Sequence, residues 1–475
     1  MNNGLLKLGL RNIVYVVTSQ IIAYVLSLLT SFVLPNFLGV THFAYWQIYL
    51  FYSSYFAVLG LGFGDGIYLK YGKYDYNELP KPLLHTAYKI YTIMLILFVT
   101  LLNILISFEA DPMMQFAYRF ASFTIFILGC NSVFIMIYQI TNRMKLYSFT
   151  TIIDKITMIT AISLLFLFDF KYFQIVVALD VISKIIVLLI NIYNCKEIIF
   201  TKGVSLVEGF REFKENIKIG INLLLANLVG MLLIGLGRII IEHTKSIEEY
   251  GLYSFAITST NLALMFITAI SLVLYPIIAR MTDTQKITSF KRLNSMTSVL
   301  IFSMMLVYFP VRWLIENIMT EYIPTLDYLF ILFPIVVAQS KMQIVNNTFY
   351  KVLRKEKAML LANLSSIAVF LVIGIPLFII FDSIEVIAVS TLLTLLWRCY
   401  SSEIFLKKKM GGMSNLNIIE ELLIIASFIL ITSILNGVLS FIIYLIVLAV
   451  YIVLKRNDII LFINEIKNLK NKREV

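Results

Sequence analysis

An all-α polytopic membrane protein is the fold class this 475-residue sequence predicts, and three observations predict it. Sixty per cent of the residues are hydrophobic and only 14% are charged. A soluble domain carries roughly 25% charged residues. The apolar runs are continuous for roughly twenty residues, the length a helix needs to cross about 30 Å of hydrocarbon. Barrel strands would instead alternate apolar and polar residues over about ten positions. Finally, the basic residues concentrate in every second segment between those runs, and so on one side, as the positive-inside bias of membrane proteins requires.

Fourteen spans are expected, at 12–34, 43–69, 84–108, 116–139, 147–168, 172–194, 218–241, 250–275, 294–315, 324–350, 358–380, 384–406, 419–435 and 438–454. The first runs apolar from Ile13 to Leu34. That exceeds the about 7–15-residue core of a cleavable signal, so it reads as a span. The last two come from one apolar stretch, divided at the turn signal Asn436-Gly437. The connecting segments are short, the longest internal one running from Cys195 to Ile217. Any activity therefore belongs between helices or in short loops. Cys130, Cys195 and Cys399, like His42, His85 and His243, are scattered without metal-ligand spacing. No disulfide, metal or cofactor is expected.

With the N-terminus in the cytoplasm, 29 of the 39 basic residues fall on the cytoplasmic side, and the outer side holds only Lys171 and Lys245. The outer loops carry acids instead, among them Glu109, Asp111, Asp169, Glu248, Glu321 and Asp382. Both chain ends are thus expected in the cytoplasm. The net charge of +11 reads as this rim and its anionic headgroups, and not as a nucleic-acid signal. The charged, mildly amphipathic segment 457–475 is expected as a surface helix.

Eight basic residues remain within or at the edge of spans: Lys89, Arg119, Lys155, Lys184, Arg238, Arg312, Lys341 and Arg398. A charge facing lipid costs about 2.5 kcal/mol or more, so such residues face a wet cavity or a partner. Arg119 and Arg312 lie near span ends, where snorkelling also serves. Lys184 stands one turn after Asp180, which predicts a bridge along the helix. Asp154 and Lys155 are adjacent and should point apart. Lys341 sits mid-span among Gln339, Ser340, Gln343, Asn346 and Asn347. It reads as a cavity charge, against the alternative of a buried pair with an acid from another helix. The balance of these charges suits an anionic passenger. Lys341, Arg238, Arg398, Arg119 and Lys155 are the candidate substrate-binding residues. Asp65 and Asp154 are candidates for gating or for coupling to an ion.

Gly60-Leu61-Gly62-Phe63-Gly64-Asp65-Gly66-Ile67-Tyr68-Leu69-Lys70-Tyr71-Gly72 resembles the end of the second helix in bacterial flippases that carry O-antigen and related units. Leu34-Pro35-Asn36-Phe37-Leu38-Gly39 resembles the end of their first helix. Glu249-Tyr250-Gly251-Leu252-Tyr253 and Tyr275-Pro276-Ile277-Ile278-Ala279-Arg280 resemble the ends of their eighth. The first lobe departs by reading His42-Phe43-Ala44-Tyr45 where a Tyr-Gly or Phe-Gly pair is usual. These flippases fall in the multidrug/oligosaccharidyl-lipid/polysaccharide exporter superfamily.

The resemblance implies two six-helix lobes around a central cavity plus two C-terminal helices. The expected layout is 1–195 for the first lobe, 196–217 for a cytoplasmic inter-lobe loop and 218–409 for the second lobe. Helices 13 and 14 take 410–456, and 457–475 forms a cytoplasmic tail. The implied activity is alternating-access transfer of an undecaprenyl-diphosphate-linked oligosaccharide to the outer leaflet of the bacterial inner membrane. It requires the lipid bilayer and no partner subunit, with a polysaccharide polymerase as a candidate partner and a proton or sodium as a candidate coupling ion. Close helix packing through the alternating glycines is the physical reading of the first motif, with Asp65 capping a neighbouring helix or pairing with Lys70. An ion-coupled small-molecule exporter would share this fold. A membrane glycosyltransferase or polymerase would need a larger outer loop or a paired acidic site.

Overall fold

The computed structural model describes residues 3–72, 74–279, 281–411, 414–435 and 437–471. Regular structure among them is entirely helical. They form two compact units, Met1–Met231 with Ser246–Gly251, and Leu232–Lys245 with Leu252–Val475.

The first unit contains α1 (Asn3–Ser54), α2 (Phe63–Tyr71), α3 (Lys81–Ile106), α4 (Pro112–Ile140), α5 (Met144–Phe168), α6 (Phe173–Asn194) and α7 (Leu206–Thr244) as far as Met231. Local chemistry sets the helix ends. The Asp111 carboxylate accepts the Met113 N–H at the start of α4, with Pro112 at the first helical position. Gly39 breaks α1 with φ 71° and ψ 171°, a conformation that L-residues with a side chain avoid. Within the unit α1 packs on α4 and α5, and α4 also packs on α3 and α6.

The second unit takes the rest of α7 and most of α8 (Ile247–Ala279). It continues with α9 (Asp283–Met304), α10 (Tyr308–Asn317), α11 (Leu326–Leu332), α12 (Ile335–Lys341), α13 (Asn347–Val352), α14 (Glu356–Val369) and α15 (Ile375–Phe381). Last come α16 (Ile384–Lys409), α17 (Leu416–Ile434) and α18 (Gly437–Asn471). A π turn at Met342–Asn346 joins α12 to α13, and another at Phe370–Gly374 joins α14 to α15.

Eleven helices among the described residues are long and apolar enough to span a membrane, or twelve with one bent pair. The expected spans 12–34 and 43–69 share α1, and 250–275 lies in α8, many of whose side chains are outside the described residues. The expected span 324–350 is the bent pair, Thr320–Leu332 and Ile335–Val352 at 49°. Pro334 lies at the bend, where it supplies no N–H and crowds the preceding turn.

The expected loop 196–217 is corrected. It contains a short helix, Lys196–Ile199, and α7 begins at Leu206. A capping box nucleates α7: Ser205 Oγ accepts the Glu208 N–H at 3.3 Å, and the Glu208 carboxylate accepts the Ser205 N–H at 3.2 Å. At the other end of the chain, α18 runs past residue 456 to Asn471 as one helix. The side chains of 457–475, and Arg280 of the basic rim, lie outside the described residues.

Candidate functional site

The glycine motif brings α2 and α7 into backbone contact. A Cβ at Gly66 would stand 2.0 Å from the Asn216 carbonyl oxygen, and one at Gly220 would stand 2.0 Å from that of Gly62. Gly62 itself has φ 77°. Gly64 points elsewhere, and a Cβ there would meet Ser132 Oγ of α4 at an ordinary 3.5 Å. Alternation within a turn of α2 thus serves two neighbours. One turn further along, Lys70 Nζ binds the carboxylates of Glu212 at 2.7 Å and Glu215 at 2.9 Å. Tyr71 Oη donates to Glu212 at 2.7 Å. Burial alone would lower the Lys70 pKa, but its bonds and attraction to these two carboxylates outweigh that and raise it. The expected Asp65–Lys70 pair is therefore corrected, because α7 supplies better-placed acids.

Asp65 faces a cavity of about 490 Å³ inside the first unit. Its walls come from α1, α2, α3, α4 and α7, and are largely apolar: Val58, Phe63, Met136, Leu224, Leu228 and Met231. Tyr91 and Ser132 also line it, but both hydroxyls donate to the Gly129 carbonyl, at 3.2 and 2.7 Å. Asp65 makes no hydrogen bond or ion pair among the described residues.

Lys341 stands in a different setting. Its side chain is fully buried in the second unit. Nζ lies 2.6 Å from Glu421 Oε2, 2.7 Å from Glu421 Oε1 and 2.7 Å from Glu403 Oε2. Lys407, one turn along α16, binds Glu403 at 2.9 Å. Asn294 of α9 donates to Glu403 at 2.6 Å, and Ser298 to Glu421 at 2.5 Å. Two cations and two carboxylates therefore form a neutral cluster that ties α9, α12, α16 and α17 together. Lys341 thus forms the buried pair with acids from other helices, Glu403 of α16 and Glu421 of α17.

The other predicted residues are dispersed. Arg398 is buried and donates from Nε to Asn363 Oδ1 at 2.6 Å. Arg238 donates to the Ser254 carbonyl at 3.4 Å. Arg119 reaches Ser107 Oγ at 3.3 Å from Nη2. Arg312 binds Glu316 one turn on, at 2.7 Å, in place of snorkelling alone. The Asp180–Lys184 bridge forms at 2.5 Å, and Tyr49 Oη donates to the other Asp180 oxygen at 2.5 Å. Asp154 accepts from Ser183 Oγ at 3.0 Å. Lys155 Nζ stands 3.7 Å from Asp154, so the two side chains converge loosely where they were expected to point apart.

Sequence reasoning passed over Glu403 and Glu421. Both lie inside expected spans, 384–406 and 419–435, and acids there were the available signal. Glu212 gives no such signal, because it lies between the expected spans 172–194 and 218–241.

A family profile described as polysaccharide biosynthesis protein matches residues 9–282. No curated protein matches the sequence. Among solved structures, the chain resembles the lipid II flippase MurJ in an inward closed conformation at 13% identity, covering 96% of this chain and 100% of that one, with a TM-score of 0.57. It resembles a MOP superfamily transporter from Pyrococcus furiosus at 12% identity, covering 84% and 96%, with a TM-score of 0.56. An outward-facing multidrug resistance MATE family transporter gives 11% identity, 84% and 96% coverage, and 0.57. The chain has the fold of these membrane transporters.

Proposed function

This chain belongs to the polysaccharide biosynthesis protein family, and on that premise we propose that it is a flippase for an undecaprenyl-diphosphate-linked oligosaccharide. It moves this lipid from the inner to the outer leaflet of a bacterial cytoplasmic membrane by alternating access. The observation that carries the reading is the family match over residues 9–282. In this reading the chain has about fourteen spans, in two six-helix lobes and two added helices, with both ends cytoplasmic. One chain suffices, and a polysaccharide polymerase is a candidate recipient of the product. Arg238, Arg398, Arg119 and Lys155 are the charges assigned to the diphosphate, since intramembrane cations attract an anion in a poorly screened site. Lys341 enters through its cluster, because a diphosphate has to displace Glu421 or Glu403 to reach the ammonium. Asp65 and Asp154 are assigned to gating or to coupling with a proton or sodium.

A second reading, an ion-coupled exporter of small molecules, is favoured by one observation: the unpartnered Asp65 carboxylate in an apolar cavity. Proteoliposomes separate the two. The purified chain should expose a labelled lipid-linked oligosaccharide to an outer-leaflet probe faster than empty vesicles do. Loss of that flipping in a joint Arg238→Gln/Arg398→Gln variant, at matched amounts of folded protein, supports the assignment. A wild-type protein that exports small cations under an ion gradient and leaves the lipid-linked sugar unmoved overturns it.

A further inference from the structure

We propose that the Asp65 cavity of the first unit is a binding site for an organic ammonium ion, an amine carrying an apolar body of aromatic size. This goes beyond the flippase reading, does not depend on it, and stands as the alternative to the sodium coupling assigned to Asp65 there. The cavity volume of about 490 Å³ lies within the roughly 300–1,000 Å³ of small-molecule sites. Phe63, Met136, Leu224, Leu228 and Met231 give it apolar walls. Such walls favour an organic body over an inorganic cation, which needs several oxygen ligands at once. Asp65 places one negative charge on this wall, and the Tyr91 and Ser132 hydroxyls spend their hydrogens on the Gly129 carbonyl.

A cationic ligand would therefore meet a carboxylate that no neighbouring donor neutralises. From α3 the titratable group facing it is Tyr91; α1 contributes no charged residue to the lining, and neither do α4 and α7. Tyr91 and Phe63, stacked on each other with ring centroids 4.7 Å apart, make this part of the lining aromatic. A diphosphate is excluded by charge, so this ligand differs from the lipid-linked sugar. The rival account is that Asp65 only complements the positive end of α2, in whose first turn it sits.

The experiment uses the full-length chain in detergent, with 2-phenylethylamine as probe and 2-phenylethanol as its uncharged counterpart. The amine should raise the melting temperature saturably, while the alcohol and an equal concentration of sodium chloride should not. Asp65→Asn should weaken the amine at least about tenfold, because a charge-assisted contact is lost. Asp65→Glu should keep the response. Leu228→Trp, which fills the cavity and leaves the carboxylate in place, should abolish it. An equal response to the alcohol or to salt overturns the proposal, as does an unchanged response in Asp65→Asn or Leu228→Trp. Should Asp65→Asn not fold, Leu228→Trp and the alcohol decide the matter alone.

Discussion

Asp65 in the first unit and Lys341 in the second both carry charge into apolar helices, yet only Lys341 is neutralised there. Glu403, Glu421 and Lys407 surround Lys341, so an anion reaches its ammonium only by displacing a carboxylate. Asp65 opens on a cavity of about 490 Å³ and has no partner among the described residues. The difference follows from what each neighbour contributes. Next to α2, α7 spends its glycine on backbone contact and its acids on Lys70. Around Lys341, three helices turn polar side chains inward at one level. A satisfied cluster fixes helices against one another, whereas a lone charge beside open space can take a ligand.

The largest effect should come from breaking the closed cluster. Lys341→Met leaves two buried carboxylates facing one lysine, at a cost of about 3–5 kcal/mol. The double variant Lys341→Met/Glu421→Gln leaves the neutral Lys407–Glu403 pair and should recover most of that loss in thermal unfolding. If Lys341→Met keeps wild-type stability and fails only in transport, Lys341 contacts the substrate and the comparison breaks.

Next in size is the glycine contact. Gly66→Ala forces α2 away from the Asn216 carbonyl and should cost ~1–3 kcal/mol. Gly64→Ala meets ordinary contact and should stay within about 0.5 kcal/mol. Equal losses in the two variants would mean that the close approach of α2 and α7 is not what the glycines serve.

Asp65→Asn should move the melting temperature up or not at all, since it removes an unpartnered carboxylate. A clear drop, comparable to that of Glu403→Gln, would give Asp65 a structural partner and erase the contrast between the two regions.

The smallest effect belongs to Lys70. Its bonds to Glu212 and Glu215 are part-exposed, so Lys70→Ala should cost about 0–1 kcal/mol. With its folded pKa raised, this contribution is complete below the unfolded lysine value and fades as pH rises through the folded one. Melting curves of wild type and Lys70→Ala should therefore converge at high alkalinity. A gap that widens with pH would reverse the sign.

Much of this protein could be read from one dimension. Helical membrane architecture follows from apolar run length, because hydrocarbon thickness sets the residues needed per span. The Asp180–Lys184 bridge follows from helical repeat alone, and so does the packing role of the alternating glycines. Ser205 and Glu208, three residues apart, also carry the capping signal for the start of α7. Tertiary structure alone decided which charges meet. Lys341 lies 62 and 80 positions from Glu403 and Glu421. Nothing in periodicity links residues that far apart, since their meeting depends on how separate helices are rotated and stacked. The same rotation left Asp65 without a partner while giving Lys70 two carboxylates. A sequence can therefore show that a charge is buried, but its partner is chosen by helix packing, because in a low-dielectric interior a few ångströms separate a neutral cluster from a waiting site.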